Sequence, residues 1–128
     1  MTKLFIVRLF LAVVGVTYVG LAAWCSVVPE KTSKVVGFAL QPGSGQSEFL
    51  TVYGGLELGL GLVFLWPLYR SADWEFALLT CVIVHGCLVV FRTIGFVVYG
   101  GVETTTYYLA GTEWAIFLIA AALWAWKG

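Results

Sequence analysis

Four ionisable side chains lie inside long apolar stretches of this sequence, at Glu57, His85, Arg92 and Glu113. A charged group at the centre of a lipid bilayer costs roughly 2.5–3.5 kcal/mol or more, so such residues are seldom incidental. Two carboxylates and a guanidinium can form a bridged ion pair, bind a small polar or acidic group, or carry a proton. These residues therefore form the candidate functional site.

Three of these residues are predicted to lie at nearly the same depth below one membrane surface. At 1.5 Å per residue, Glu57 lies about 12 Å deep, Arg92 about 10 Å and Glu113 roughly 9 Å. Because a planar guanidinium can bridge two carboxylates, we expect Arg92 to pair with both glutamates. The cluster has two interpretations: a buried clasp that fixes helix register, or a site for a ligand, a proton or a partner.

Neighbouring residues extend the candidate site along the same helices. Tyr53 precedes Glu57 by one turn and could donate its hydroxyl to that carboxylate, while Glu48 lies at the mouth of the same helix. His85 shares a helix face with Arg92, seven residues away. The simplest interpretation of this histidine is a hydrogen-bonded core residue.

Glycines on the second apolar stretch predict close helix packing. Gly55 and Gly59 form a small-xxx-small pattern with Gly54 beside them, and this pattern lets another helix approach closely. Such a run inside a membrane helix cannot serve as a nucleotide loop. The sequence also contains no Ser-His-Asp set and no H-x-x-x-H, so no enzymatic activity is predicted.

The cysteines and the single histidine predict neither a metal site nor a cofactor. The three cysteines, Cys25, Cys81 and Cys87, do not form a C-x-x-C motif. Cys81 and Cys87 lie six residues apart, which places them on different faces of a helix. One histidine excludes a bis-His haem within the chain. Small apolar packing residues are the expected role of the cysteines.

The composition places these residues in a membrane protein. Of 128 residues, 61% are hydrophobic and 11% charged, whereas ordinary soluble domains have roughly 45–50% and about 25%. Seven basic and seven acidic residues cannot cover the surface of a small soluble domain. The high hydrophobicity excludes an intrinsically disordered chain. The formal net charge is zero, so no excess of basic residues indicates nucleic-acid binding.

Four apolar runs must position the polar residues, and they cover about 4–28, 49–68, 76–99 and 107–126. Each is near the ~20 residues that cross a ~30 Å hydrocarbon core as a helix. The sequence thus predicts an all-α, integral membrane bundle of four transmembrane helices, forming one domain over 1–128. In the first connection, 29–48, Pro29 favours a short interfacial helix over 31–36 that ends near Gly37, and 41–45 is predicted to turn.

Basic residues predict the orientation of this bundle. Four spans place both chain ends on one side, which carries four basic residues against two on the other: Lys3, Arg8, Arg70 and Lys127, against Lys31 and Lys34. The positive-inside rule then favours cytoplasmic termini. The expected location is the bacterial inner membrane, as a multi-pass protein whose first partner is the lipid bilayer.

The chain resembles a family of small four-helix bacterial membrane proteins known only as a domain of unknown function, itself loosely akin to DoxX-like proteins. The resemblance runs nearly end to end, and Glu48 followed by Tyr53-Gly54-Gly55 is its most specific part. Its other elements are Pro29, Gly37-Phe38, Phe49, Arg92 and Glu113. The resemblance implies a four-helix bundle without an established activity, and DoxX-like relatives are linked to quinone- or thiol-dependent redox complexes.

Three functions are compatible with these features. We expect a non-catalytic accessory or structural protein that self-associates or packs against a larger membrane complex, because the loops are short and catalytic motifs are lacking. The alternative is a binding protein for a small lipophilic or acidic ligand, such as a quinone or lipid headgroup, at Tyr53, Glu57, Arg92 and Glu113. A proton or ion pathway ranks third, since the cytoplasmic half offers almost no polar lining.

Overall fold

The computed structural model describes residues 2–126, and its regular elements are all helical. We number five helices in chain order: α1 (Lys3–Val27), α2 (Pro29–Val35), α3 (Ser44–Tyr69), α4 (Trp74–Val98) and α5 (Thr104–Ala125). Four of them, all but α2, are long and apolar enough to cross a membrane. The predicted all-α class is therefore confirmed, as is the prediction of four helices that are long and apolar enough to cross a membrane.

The start of α3 differs from the prediction. The helix begins at Ser44, within the segment that was predicted to turn, and five residues before the predicted start at 49. Gly43 adopts a positive φ of 77°, and its N–H donates to the Gln46 side chain at 3.1 Å. This local cap lets a polar segment begin the helix, although hydropathy alone places its start at the first apolar residue.

A π-helical stretch, Leu50–Leu56, lies inside α3 directly before Glu57. Such wide turns change which side chains face a neighbouring helix, and they are frequent at functional sites. Neither the hydropathy pattern nor the glycine spacing predicts this π-helical stretch. The other short elements agree with the sequence, since Pro29 starts α2 and Gly37, with a φ of 81°, follows its end.

Helices α1 and α3 form the first hairpin and approach closely through glycines. A Cβ on Gly61 would lie 3.1 Å from the Gly15 carbonyl oxygen, and a Cβ on Gly54 would lie 2.7 Å from the Ser26 hydroxyl. Gly54 therefore packs as predicted. Gly55 and Gly59 instead face open space, so among residues 2–126 they do not pack against another helix.

Helices α4 and α5 form the second hairpin, and one apolar core joins it to the first. This core lies in the half of the bundle that holds both chain ends, which we call the terminal half. Its buried members come from all four long helices: Val7, Leu11, Val14, Phe64, Ala77, Leu78, Cys81 and Ala120. The opposite half, which ends in the connections 36–43 and 99–103, we call the loop half.

Polar contacts tie the ends of the chain together in the terminal half. Lys3 donates to the Trp126 carbonyl and lies 5.6 Å from the centre of the Trp74 ring. Arg8 donates to the Leu68 carbonyl at 3.2 Å, which satisfies an acceptor left free at the end of α3. Both described chain ends thus lie on one side, as predicted, while Lys127 lies outside the described residues.

Candidate functional site

Arg92 of α4 and Glu113 of α5 form a bidentate ion pair in the loop half. The guanidinium Nε donates to Oε2 at 2.9 Å and Nη2 donates to Oε1 at 2.6 Å. The two side chains are 29% and 15% exposed. Parallel bonds between a planar guanidinium and a carboxylate give the strongest geometry for such a pair. It joins the two helices of the second hairpin.

Glu57 does not take part in this pair, contrary to the bridged arrangement predicted from its depth. Among residues 2–126, its Oε2 atom is buried and has no hydrogen-bond partner. Depth counting located Glu57 along α3 but could not give its direction, which follows the π-helical stretch just before it. The pair also lies within one hairpin, whereas Glu57 belongs to the other.

Tyr53 is placed by aromatic packing and not by Glu57. Its ring stacks on Phe49 with centroids 4.6 Å apart, and Phe38 from the connection 36–43 lies 5.9 Å away. The predicted hydroxyl bond from Tyr53 to Glu57 is not formed among the described residues. Glu48, on the first turns of α3, is exposed and stays outside the buried site.

His85 is a satisfied core histidine, as its simplest interpretation predicted, and its partner is Tyr18. Its side chain is 1% exposed. Its Nδ1 lies 2.9 Å from the Cys81 carbonyl, and its Nε2 lies 3.1 Å from the Tyr18 hydroxyl. A carbonyl only accepts, so we assign the proton to Nδ1, and Tyr18 then donates to Nε2.

Tyr18 is the buried polar contact that the sequence analysis missed. It reaches His85 from the first hairpin, with ring centroids 5.7 Å apart, and Phe64 packs edge-on at 5.5 Å. The available signal was a tyrosine hydroxyl within a long apolar stretch of α1. Since His85 lies seven residues, or about 10 Å, before Arg92 along α4, this contact separates the polar groups of the loop half from the apolar core.

The chemistry that the described residues of the site offer is that of hydrogen bonding. Among the described residues, no three His, Cys, Asp or Glu side chains lie together in a way that could hold a metal ion. What the loop half offers is one neutralised ion pair, Arg92 with Glu113, and one buried carboxyl oxygen on Glu57 that is free to accept a donor.

Comparison with known families supports the resemblance seen in the sequence. The family described as a domain of unknown function, DUF4345, matches residues 6–126. The chain belongs to this family. No curated protein and no solved structure matches it. Membership of DUF4345 confirms the family resemblance as a domain of unknown function, whereas the link to DoxX-like proteins stays a prediction.

Proposed function

We propose that this DUF4345 protein is a non-catalytic integral membrane protein that binds a small lipophilic ligand in the loop half of its bundle. Glu57 is the anchor, with the Arg92–Glu113 pair as part of the polar surroundings. The ligand carries an O–H or N–H group that donates to the Glu57 carboxyl. A quinol or a lipid headgroup has this chemistry, and a redox-linked role like that of DoxX-like proteins would follow from a quinol.

The observation that carries this proposal is the unpartnered, buried Oε2 atom of Glu57. A buried polar group without a partner costs about 1–3 kcal/mol. In a membrane-spanning helix this cost is not relieved by bulk water. A ligand that donates a hydrogen bond to this oxygen removes the cost on binding, and part of its affinity comes from that relief.

A second candidate is the accessory or structural subunit expected from the sequence. It is favoured by Gly55 and Gly59, which present a small-xxx-small surface to open space on α3. Such surfaces accept a neighbouring helix in membranes. The occupant would be a second copy of the chain or a helix of a larger membrane complex.

The membrane placement that we propose follows the sequence. The protein crosses a bacterial inner membrane four times, with α2 at the interface and the termini in the cytoplasm. Reporter fusions at residue 126 and within 36–43 test this orientation. We expect a cytoplasmic reporter signal at the C-terminal position and a periplasmic one in the connection, and the reverse pattern would contradict it.

The ligand is tested by what the protein retains on purification from native membranes in mild detergent. Mass spectrometry of organic extracts should find one small molecule in near-stoichiometric amount with the wild type. Glu57→Leu should retain at least tenfold less of it. Glu48→Leu is the matched control, because Glu48 is an exposed glutamate on the same helix, and it should retain the wild-type amount.

Two other outcomes would contradict a ligand at Glu57. A wild-type protein without any retained small molecule, but with a co-purifying membrane protein or a dimer that Gly59→Leu disrupts, would contradict ligand binding and support the accessory role. Equal retention by Glu57→Leu and the wild type would remove Glu57 from the site.

A further inference from the structure

A lateral cleft on the second hairpin provides a site that differs from the one at Glu57. It is an open depression with a volume of about 360 Å³. It is lined by residues of α4, of the connection 99–103 and of the start of α5: Leu88, Phe91, Arg92, Gly95, Phe96, Tyr99, Val102 and Thr106. Small-molecule sites span roughly 300–1,000 Å³. The cleft is thus large enough for one ring system, and Glu57 is not among its lining residues.

The cleft exists because one stripe of α4 is left uncovered. Leu88, Arg92 and Gly95 recur at intervals of four and three residues, and so lie on one face of α4. Tyr99 directly follows the end of this helix. Gly95 contributes no side chain, and a Cβ placed on it would meet nothing within 4 Å. Val102 and Thr106 close the end of the cleft where the chain turns back towards α5.

Arg92 supplies hydrogen-bond donors to this cleft. Its Nε and Nη2 atoms donate to Glu113, while Nη1, which carries two further N–H groups, has no partner among the described residues. Nη1 is also not among the buried unpartnered atoms of residues 2–126. These N–H groups are therefore accessible, and Arg92 is one of the residues that line the cleft.

The ion pair determines the charge of the occupant. Glu113 already neutralises Arg92, so an anion would add an uncompensated charge within the membrane, which is costly. An uncharged acceptor has no such cost, and a carbonyl oxygen can accept a hydrogen bond from a guanidinium N–H group. The chemistry favours a neutral carbonyl compound over a phosphate or carboxylate.

Aromatic side chains determine the shape of the occupant. Phe91 and Tyr99 are 74% and 71% exposed, so their rings are available for stacking. Phe96 is held in place against Tyr107, with centroids 4.9 Å apart. Aromatic pairs at such separations favour flat partners in offset or edge-on contact.

We infer that this cleft binds a planar, uncharged ring compound whose carbonyl oxygen accepts hydrogen bonds from Arg92 and whose apolar tail extends into the bilayer. The compound enters laterally from the lipid phase. This inference does not depend on a ligand at Glu57, which requires a donor group, whereas the cleft requires an acceptor.

Photoaffinity labelling of the full-length protein in lipid nanodiscs tests the inference, with an azido derivative of decyl-benzoquinone as the probe. We expect saturable labelling within residues 88–106 that excess decyl-benzoquinone prevents. Gly95→Leu fills the cleft and should lower this labelling at least tenfold. Gly111→Leu is the matched control, since Gly111 also meets nothing within 4 Å and lies outside the cleft; it should label like the wild type.

Phe91→Ala is the second variant in case Gly95→Leu does not fold, because Phe91 is mostly exposed and its loss leaves the core intact. It should lower labelling several-fold. Unsaturable labelling, labelling outside 88–106, or unchanged labelling in both cleft variants would overturn the inference. So would equal competition by decylcyclohexane, which lacks a carbonyl, since the cleft would then be an unselective lipid groove.

Discussion

The two halves of the bundle are held together in different ways. In the terminal half, apolar side chains from all four long helices form one core that includes Leu11, Phe64 and Leu78. In the loop half, each hairpin is held within itself, the first by Gly54 against Ser26 and the second by Arg92 with Glu113. The terminal half is thus the scaffold, and the loop half has room for other molecules.

Two glutamates in the loop half show what this difference means. Glu113 is fully paired, and its loss should unfold the hairpin that it fixes. Glu57 has a buried oxygen without a partner, so its presence lowers the stability of the isolated protein. This expected cost is the reason why we propose a ligand at Glu57 and not at Glu113.

The largest expected effect comes from breaking the ion pair. Arg92→Leu leaves Glu113 as an uncompensated charge and should lower the free energy of unfolding by about 3–5 kcal/mol. Denaturation of the detergent-solubilised protein by sodium dodecyl sulfate measures this loss. The double variant with Glu113→Leu should recover most of it. A clasp that included Glu57 would instead require Glu57→Leu for recovery.

Overpacking the first hairpin should have the next largest effect. A Cβ on Gly61 would lie 2.8 Å from a Val19 methyl group and 3.1 Å from backbone, so Gly61→Ala should lower stability by roughly 1–3 kcal/mol. Gly59→Ala is the control, since Gly59 faces open space and should tolerate the methyl group. Equal unfolding midpoints for the two variants would contradict the close α1–α3 contact.

Removal of the unpaired carboxyl should act in the opposite direction. Glu57→Leu replaces a half-buried side chain, one of whose oxygens is buried without a partner, by an apolar one, and should raise the stability of ligand-free protein by about 1–3 kcal/mol. A rise in thermal unfolding temperature measures the gain, with Glu48→Leu as the near-neutral control. A lower unfolding temperature would show that Glu57 has a structural partner and stabilises the protein, as Glu113 does.

The smallest expected effect is at the boundary between the halves. Tyr18→Phe keeps the ring but leaves the Nε2 atom of buried His85 without its donor, which should cost about 1 kcal/mol. Tyr108→Phe, at an exposed tyrosine of α5, should change nothing in the same unfolding measurement. Identical stability of both variants would mean that the Tyr18–His85 contact does not join the hairpins.

The sequence was sufficient for the number and class of the long helices because hydropathy and length are local properties. It also placed Arg92 and Glu113 at one depth, and the pair forms. The prediction that Glu57 joins this pair was wrong. The direction of a side chain depends on the helical repeat before it, and the π-helical stretch changes that repeat. Tyr18 was missed because a contact between hairpins depends on how they dock.

The glycines illustrate the same limit. Gly54, Gly55 and Gly59 were all predicted to pack against a neighbouring helix, but only Gly54 contacts α1, whereas Gly55 and Gly59 face open space. The spacing rule identifies a face that a helix could use. Which glycine meets a neighbour depends on where the two helices cross, and that is a property of the assembled bundle.

The π-helical stretch Leu50–Leu56 also has a consequence for how such a chain tolerates a change in length. Deleting one residue from this stretch would allow an unbroken α-helix from Ser44 onwards. Because one residue corresponds to about 100° of rotation in an α-helix, the Phe49–Tyr53 stack and the Glu57 carboxyl could then no longer keep their present relative directions. The extra residue in this wide turn is thus what sets the angle between the aromatic cluster and the buried acid.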